Sequence, residues 1–267
     1  MLRQPAAANR FYPGSPRAID EVILGFLDKN ELPKQEAKAI VCPHAGYIYS
    51  GELACKTIAS TLIPETVIIL GPNHHGMGDA VSLSTLDWDM PQGQVSMDRS
   101  FSQALLNASN LITEDDQAHR FEHSLEVQIP ILQTFQQNLK LVPLVVSQIS
   151  YRTCEEIGAA IAQTIKMTGT TPLILASTDM SHYESRESAS AKDKLALDMI
   201  EALDPAGLYQ TVTANRISMC GYIPVTIALV TAKLLGATQA KMTGYTDSGY
   251  TSGDTAQVVG YAGFIIS

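Results

Sequence analysis

Apolar residues in this chain fall into two kinds of run. Continuous stretches at 37–42 (AKAIVC), 67–70 (VIIL), 141–146 (LVPLVV) and 172–176 (PLILA) are short and lack polar alternation. They read as strands covered on both faces. Between them, apolar positions recur at helical spacing. Ile19, Val22, Ile23, Phe26 and Leu27 follow a Ser15-Pro16 start and predict a helix to about Asp28. Residues 51–62 and 100–108 predict two more helices, and 80–84 another strand. Residues 125–135 also predict a helix, bent or broken at Pro130. Thr153 and Glu156 suggest a capping box for a helix carrying Ile157, Ile161 and Ile165.

Ala196, Met199, Ile200 and Leu203 mark a long helix; residues 205–212 and an apolar stretch at 223–235 mark two more. Strands at 241–245 and 258–266 close the pattern, and Pro143 suggests a sheet edge or strand end. Strands alternating with helices predict an α/β sandwich with a largely parallel central sheet flanked by helices. Without a linker or repeat, residues 1–267 read as one domain.

Composition narrows the function classes. Hydrophobic residues make up 45% and charged residues 17%, enough for a substantial core. The net charge of −9, with no Lys/Arg cluster, speaks against a nucleic-acid surface. Cys42, Cys55, Cys154 and Cys220 lack CxxC spacing, so reduced thiols in the cytoplasm are expected. The first residues have no apolar signal-peptide core, and 223–235 is too short to span a bilayer and contains Lys233.

The candidate chemistry gathers at strand ends. His44, the adjacent pair His74-His75, and His182 each follow an apolar strand. In open α/β sheets the carboxyl ends of strands lie along one rim, where ligands collect. Neighbouring extended residues point to opposite sides, so at most one of His74 and His75 faces a given ligand, and His74 is the choice. Imidazole suits iron, copper and zinc, and thiolate suits zinc or copper. Cys220, just ahead of the apolar helix, sits where a helix N-terminus lowers a thiol pKa; as a bland reading it is a small buried residue. His119-Arg120-Phe121-Glu122-His123 matches an HxxEH zinc-protease pattern, which needs both histidines on one helical turn. Asp179 and His182 suggest an acid/base pair in which the carboxylate fixes the imidazole tautomer, or else a helix cap. A loop containing Asp254 suits turns or anion contact.

Taken together, these segments resemble the Memo family, whose prokaryotic members are also called AmmeMemoRadiSam system protein B. The resemblance rests on FYPG (11–14), PHAGY (43–47), LGPNHH (70–75), EHSLE (122–126), STDMSH (177–182), MCG (219–221) and GD (253–254) with VGY (259–261). It implies a fold similar to class III extradiol dioxygenases, with metal ligands at His44, His74 and Cys220. Asp179 and His182 would be catalytic, and His75, Glu122, His123 and Asp254 would line the pocket. The cysteine departs from the two-histidine, one-carboxylate set of the ring-cleaving enzymes. The implied function is a metal-dependent redox or dioxygenase-like enzyme using iron or copper, with zinc within the same donor chemistry, and a small-molecule or peptide ligand. The alternative is a non-catalytic protein- or peptide-binding module working with a radical-SAM partner and other system proteins. A third reading makes Cys220 the nucleophile of a thiol hydrolase with His182 as its base.

Overall fold

A computed structural model describes residues 2–27 and 33–267. In chain order its elements begin with β1 (Leu2–Arg3), α1 (Pro16–Phe26), β2 (Ala39–Cys42), α2 (Glu52–Ala59), β3 (Thr66–Pro72), β4 (Val81–Leu83), β5 (Asp87–Trp88), β6 (Ser96–Met97) and α3 (Arg99–Ala108). They continue with β7 (Thr113–Glu114), α4 (Ile129–Phe135), β8 (Lys140–Val146), α5 (Tyr151–Thr168), β9 (Leu173–Ser177), β10 (His182–Glu184) and α6 (Arg186–Glu201). The last are α7 (Pro205–Ala214), α8 (Tyr222–Leu234), β11 (Ala240–Asp247), α9 (Gly249–Ser252) and β12 (Val258–Ile266).

Among the described residues, a ten-stranded sheet runs β10-β12-β2-β9-β3-β8-β4-β7, with β11 beside β12 and β6 beside β8. Its centre, β2-β9-β3-β8, is parallel. Antiparallel pairs join β12 to β2 and β4 to β8. Side chains alternate between the two faces, as strand geometry requires. Val41, Ile68, Leu70, Val142 and Ile174 enter one core, with α3, α5, α6, α7 and α8. Ile40, Val67, Ile69, Leu141 and Leu175 enter the other, with α1, α2 and α4. Two apolar faces explain why the central strands lack polar alternation. Each of Val67, Ile68, Ile69 and Leu70 is fully buried, which stabilises the fold by roughly 1.5–3 kcal/mol per side chain relative to exposure.

Several local expectations change. The predicted helix end at Asp28 lies outside the described residues. Pro143 is interior: β8 pairs with β3 on one side and with β6 and β4 on the other. β6 pairs with Lys140 and Leu141, and β4 with Leu144 to Val146, so Pro143 falls in the gap between them. Its carbonyl accepts the Ser84 N–H on that side, and because the two polar groups of a residue point the same way, its missing N–H faces this gap just past β4 and not the β3 ladder. Pro130 occupies the first turn of α4, after a 3₁₀ turn at Glu126–Gln128, and opens the helix where it has no donor to lose. The cap of α5 is Ser150, whose hydroxyl accepts the Thr153 N–H at 3.1 Å, while Glu156 pairs with Arg152. Among the described residues no helix is long and apolar enough to cross a membrane.

Candidate metal centre

Strand order sets the site. β2, β9 and β3 are parallel neighbours, and Cys42 stands in register with Ser177. His44 leaves the end of β2 and His74 the end of β3, so the two approach each other across the end of β9. Their ring centroids are 5.2 Å apart. A π-helical turn at Tyr47–Gly51 carries the chain from His44 into α2. Such turns recur at functional sites. His123 arrives from the loop ahead of α4 and stacks on His74 at 4.6 Å, with its centroid 5.5 Å from His44. Each histidine offers a ring nitrogen, and these three atoms lie within 4.8 Å of one another.

Hydrogen bonds fix which nitrogens face inward. The Ser177 hydroxyl donates to the Ser124 carbonyl at 2.7 Å and accepts from Gln128 Nε2 at 3.0 Å. Its single proton is thereby used, so the 2.9 Å contact to His44 Nδ1 is an imidazole N–H donating to oxygen. His44 Nε2 therefore carries the lone pair, and Cys220 Sγ lies 3.3 Å from it. Glu122, buried at 1% exposure, accepts the His74 backbone N–H at 2.7 Å and its Nδ1–H at 2.8 Å. His74 Nε2 is then the nitrogen left for a ligand. A histidine held by a carboxylate through its other nitrogen is the usual support for a metal ligand.

The electrostatics favour the neutral ring at His44 and at His123. Burial, then His74, hold His44 well below the ordinary histidine range. Burial, then His44, lower His123 to about 3. Burial works against ionisation of Glu122, but the His74 hydrogen bond and its charge outweigh it and hold the carboxyl well below the usual range. Asp179 accepts the His44 backbone N–H at 2.7 Å, and burial pushes its carboxyl up.

Other sequence expectations need correction. Cys220 is not acidified by its place ahead of α8: burial, then the Asp179 carboxylate, push its thiol up. Asp179 does not set the His182 tautomer. That ring donates Nδ1–H to the Ser218 carbonyl at 3.0 Å, which leaves Nε2 as its acceptor. The HxxEH segment is not helical, and His119 is turned away, its Nε2 on the Ser82 carbonyl at 2.9 Å and its ring against Trp88. His75 is exposed beside Phe121, so only one of the histidine pair joins the cluster. Asp254 is exposed and accepts the Ala256 N–H at 2.8 Å, which ties it to its own loop, outside the three-histidine group. Phe11 and Ser177 were missed as parts of the site. Phe11 stacks on His123 at 4.3 Å and lines a cavity of about 600 Å³ with Tyr12, Val22, Phe26, Tyr47 and Ile48.

Comparison with known proteins agrees over nearly the whole chain. Residues 3–265 match the family described as Memo-like protein. A MEMO1 family protein of Methanothermobacter thermautotrophicus is 37% identical over 274 residues, covering 98% of this chain and 99% of that one. One from Aquifex aeolicus is 38% identical over 269 residues, covering 99% and 98%. Among solved structures, an uncharacterized protein from Escherichia coli K12 superposes with a TM-score of 0.54 at 15% identity. It covers 84% of this chain and 98% of its own, a likeness of fold alone.

Proposed function

This chain belongs to the Memo-like protein family, and we propose that it is a metal-dependent redox protein whose centre is built on His44, His74 and Cys220, with His123 as a further donor in reach. The convergence of three imidazole nitrogens within 4.8 Å carries this reading. The donor chemistry fits: neutral imidazoles and a thiol are the ligands of iron, copper and zinc, and iron or copper is the assignment. Such an ion would supply redox chemistry and a coordination position for a small substrate.

The chain's own groups then divide the work. Glu122 orients His74, Ser177 orients His44, and Asp179 holds the backbone from which His44 projects. Burial, then Asp179, keep the Cys220 proton on, so a metal held through this sulfur would have to displace it and its affinity would rise with pH. His182 Nε2 is the atom that moves a proton to or from substrate, its ring held by Ser218. The apolar cavity beside Phe11 suits the non-polar part of a small-molecule or peptide ligand. Four free cysteines fit a cytoplasmic protein.

Elemental analysis of anaerobically purified protein tests the reading. One equivalent of iron or copper in wild type, lost in His44→Ala and Cys220→Ser while both stay folded, is the expected result. Wild type that neither carries metal nor takes up Fe(II), Cu(I) or Zn(II) would overturn it.

A further inference from the structure

Segment 2–12 is stitched to the loop that delivers Glu122 and His123, and the stitching centres on two buried charges. Arg3, 5% exposed, lies over the Trp88 ring at 4.0 Å. Its Nε donates to the His119 carbonyl at 2.9 Å, its Nη2 to the Glu122 carbonyl at 2.8 Å, and its Nη1 to the Glu126 carboxylate. Glu126, fully buried, also accepts the Ala6 and Ala7 backbone N–H groups, each at 2.8 Å, and the Tyr12 hydroxyl at 2.7 Å. The same segment lays Phe11 on His123, and the Phe11 carbonyl accepts the Tyr47 N–H at 2.7 Å.

We infer that Arg3 and Glu126 are positioning residues for the proposed metal centre, acting through the peptide that joins Glu122 to His123. The inference rests on that metal reading for its functional consequence, but its geometry stands apart from it. The Glu122 carbonyl belongs to a rigid planar unit. Pinning its oxygen fixes the plane, and with it the directions in which the Glu122 and His123 side chains leave the backbone. One of those side chains holds His74 and the other joins the cluster. Arg3 pins this oxygen and the His119 carbonyl together, which needs the spread of a guanidinium; a single ammonium cannot copy it. Glu126 supplies the counter-charge that keeps Arg3 buried and fastens residues 6, 7 and 12 around it.

Arg3→Lys keeps the buried positive charge beside Glu126 and removes the fork. We expect it to fold, to bind Co(II) about 10- to 100-fold more weakly than wild type, and to shift the imidazole ¹⁵N signals of His74 in the metal-free protein away from the Nδ1–H form. Unchanged His74 signals overturn the positioning role, whatever the Co(II) result. Altered His74 signals alongside a wild type that binds no Co(II) uphold positioning and sink the metal reading instead. If Arg3→Lys does not fold, Tyr12→Phe removes one bond to Glu126 and should move the same signals less far in the same direction; signals identical to wild type there count against the inference.

Discussion

Glu122 holds His74 at two points, accepting its backbone N–H at 2.7 Å and its ring Nδ1–H at 2.8 Å. The carboxylate thus fixes both where the residue sits and how its ring is turned. Glu122→Gln keeps the shape but removes the charge and one acceptor. It should leave the fold intact and weaken Co(II) binding by about 10- to 100-fold, measured by chelator competition. Wild-type affinity in the variant would show that the carboxylate does not orient the ligand.

Gly221 precedes α8 because the backbone there leaves no room for a side chain. A Cβ would run into the Ser177 carbonyl oxygen and the Thr178 side chain, whose hydroxyl accepts the Gly221 N–H at 2.9 Å. Gly221→Ala should cost about 1–3 kcal/mol in denaturant unfolding, as overpacked sites do, and lengthen the 3.3 Å approach of Cys220 to His44. Unaltered stability would mean that the turn relaxes freely.

His119 predicts an acid-side loss of stability. Burial is the main cause that lowers its pKa to about 4, and its Nδ1 has no hydrogen-bond partner among the described residues. In the unfolded chain the ring takes up a proton near pH 6.5, so between there and about 4 the unfolded state binds more protons. The histidine's contribution is therefore intact above about pH 6.5, falls with pH, and levels off below about 4, a change of about 3 kcal/mol. His119→Gln can still donate to the Ser82 carbonyl but does not titrate. The difference between wild-type and variant stability should shrink by that amount from pH 7 to 4; a constant difference would sink the assignment.

Tyr183 follows His182 with φ at +58°, in the left-handed region, at an irregularity in the pairing of β10 with β12. The residue is 75% exposed, so truncation removes little packing. A side chain in this conformation costs roughly 1–2 kcal/mol, partly offset by the greater unfolded-state freedom of glycine. Tyr183→Gly should therefore raise stability by up to about 1 kcal/mol in thermal unfolding. A clear drop would mean that the ring contributes more through His182 than its exposure suggests.

The sheet and two of the three clustered histidines were legible because strand chemistry is local. Val67–Leu70 declares a strand buried on both sides, and His44 and His74 each stand two residues past a strand end. His123 was visible as a neighbour of the site, but its stacking on His74 depends on the path of a loop with no periodic signal. Arg3 was invisible, since its side-chain hydrogen-bond partners lie 116 to 123 residues away and nothing near it hints at burial. Ser177 passed as part of a polar run; only the registration of β2 with β9 makes its hydroxyl the one that orients His44. The acidity of Cys220 is not legible from a helix start, because burial first, and the Asp179 charge second, push its thiol up.

His44 and His74 come from strands that do not touch, with β9 between them. Two strand spacings amount to about 10 Å, which the imidazoles narrow to 5.2 Å by leaning over the end of β9. The sheet therefore works as a calibrated spacer, a ruler written in backbone hydrogen bonds. Each histidine is tethered only two residues beyond a strand end that the ladder holds in place. On the proposed metal reading, His123 and Cys220, which stand farther from any strand end, are the donors to vary first when the site is challenged with different ions.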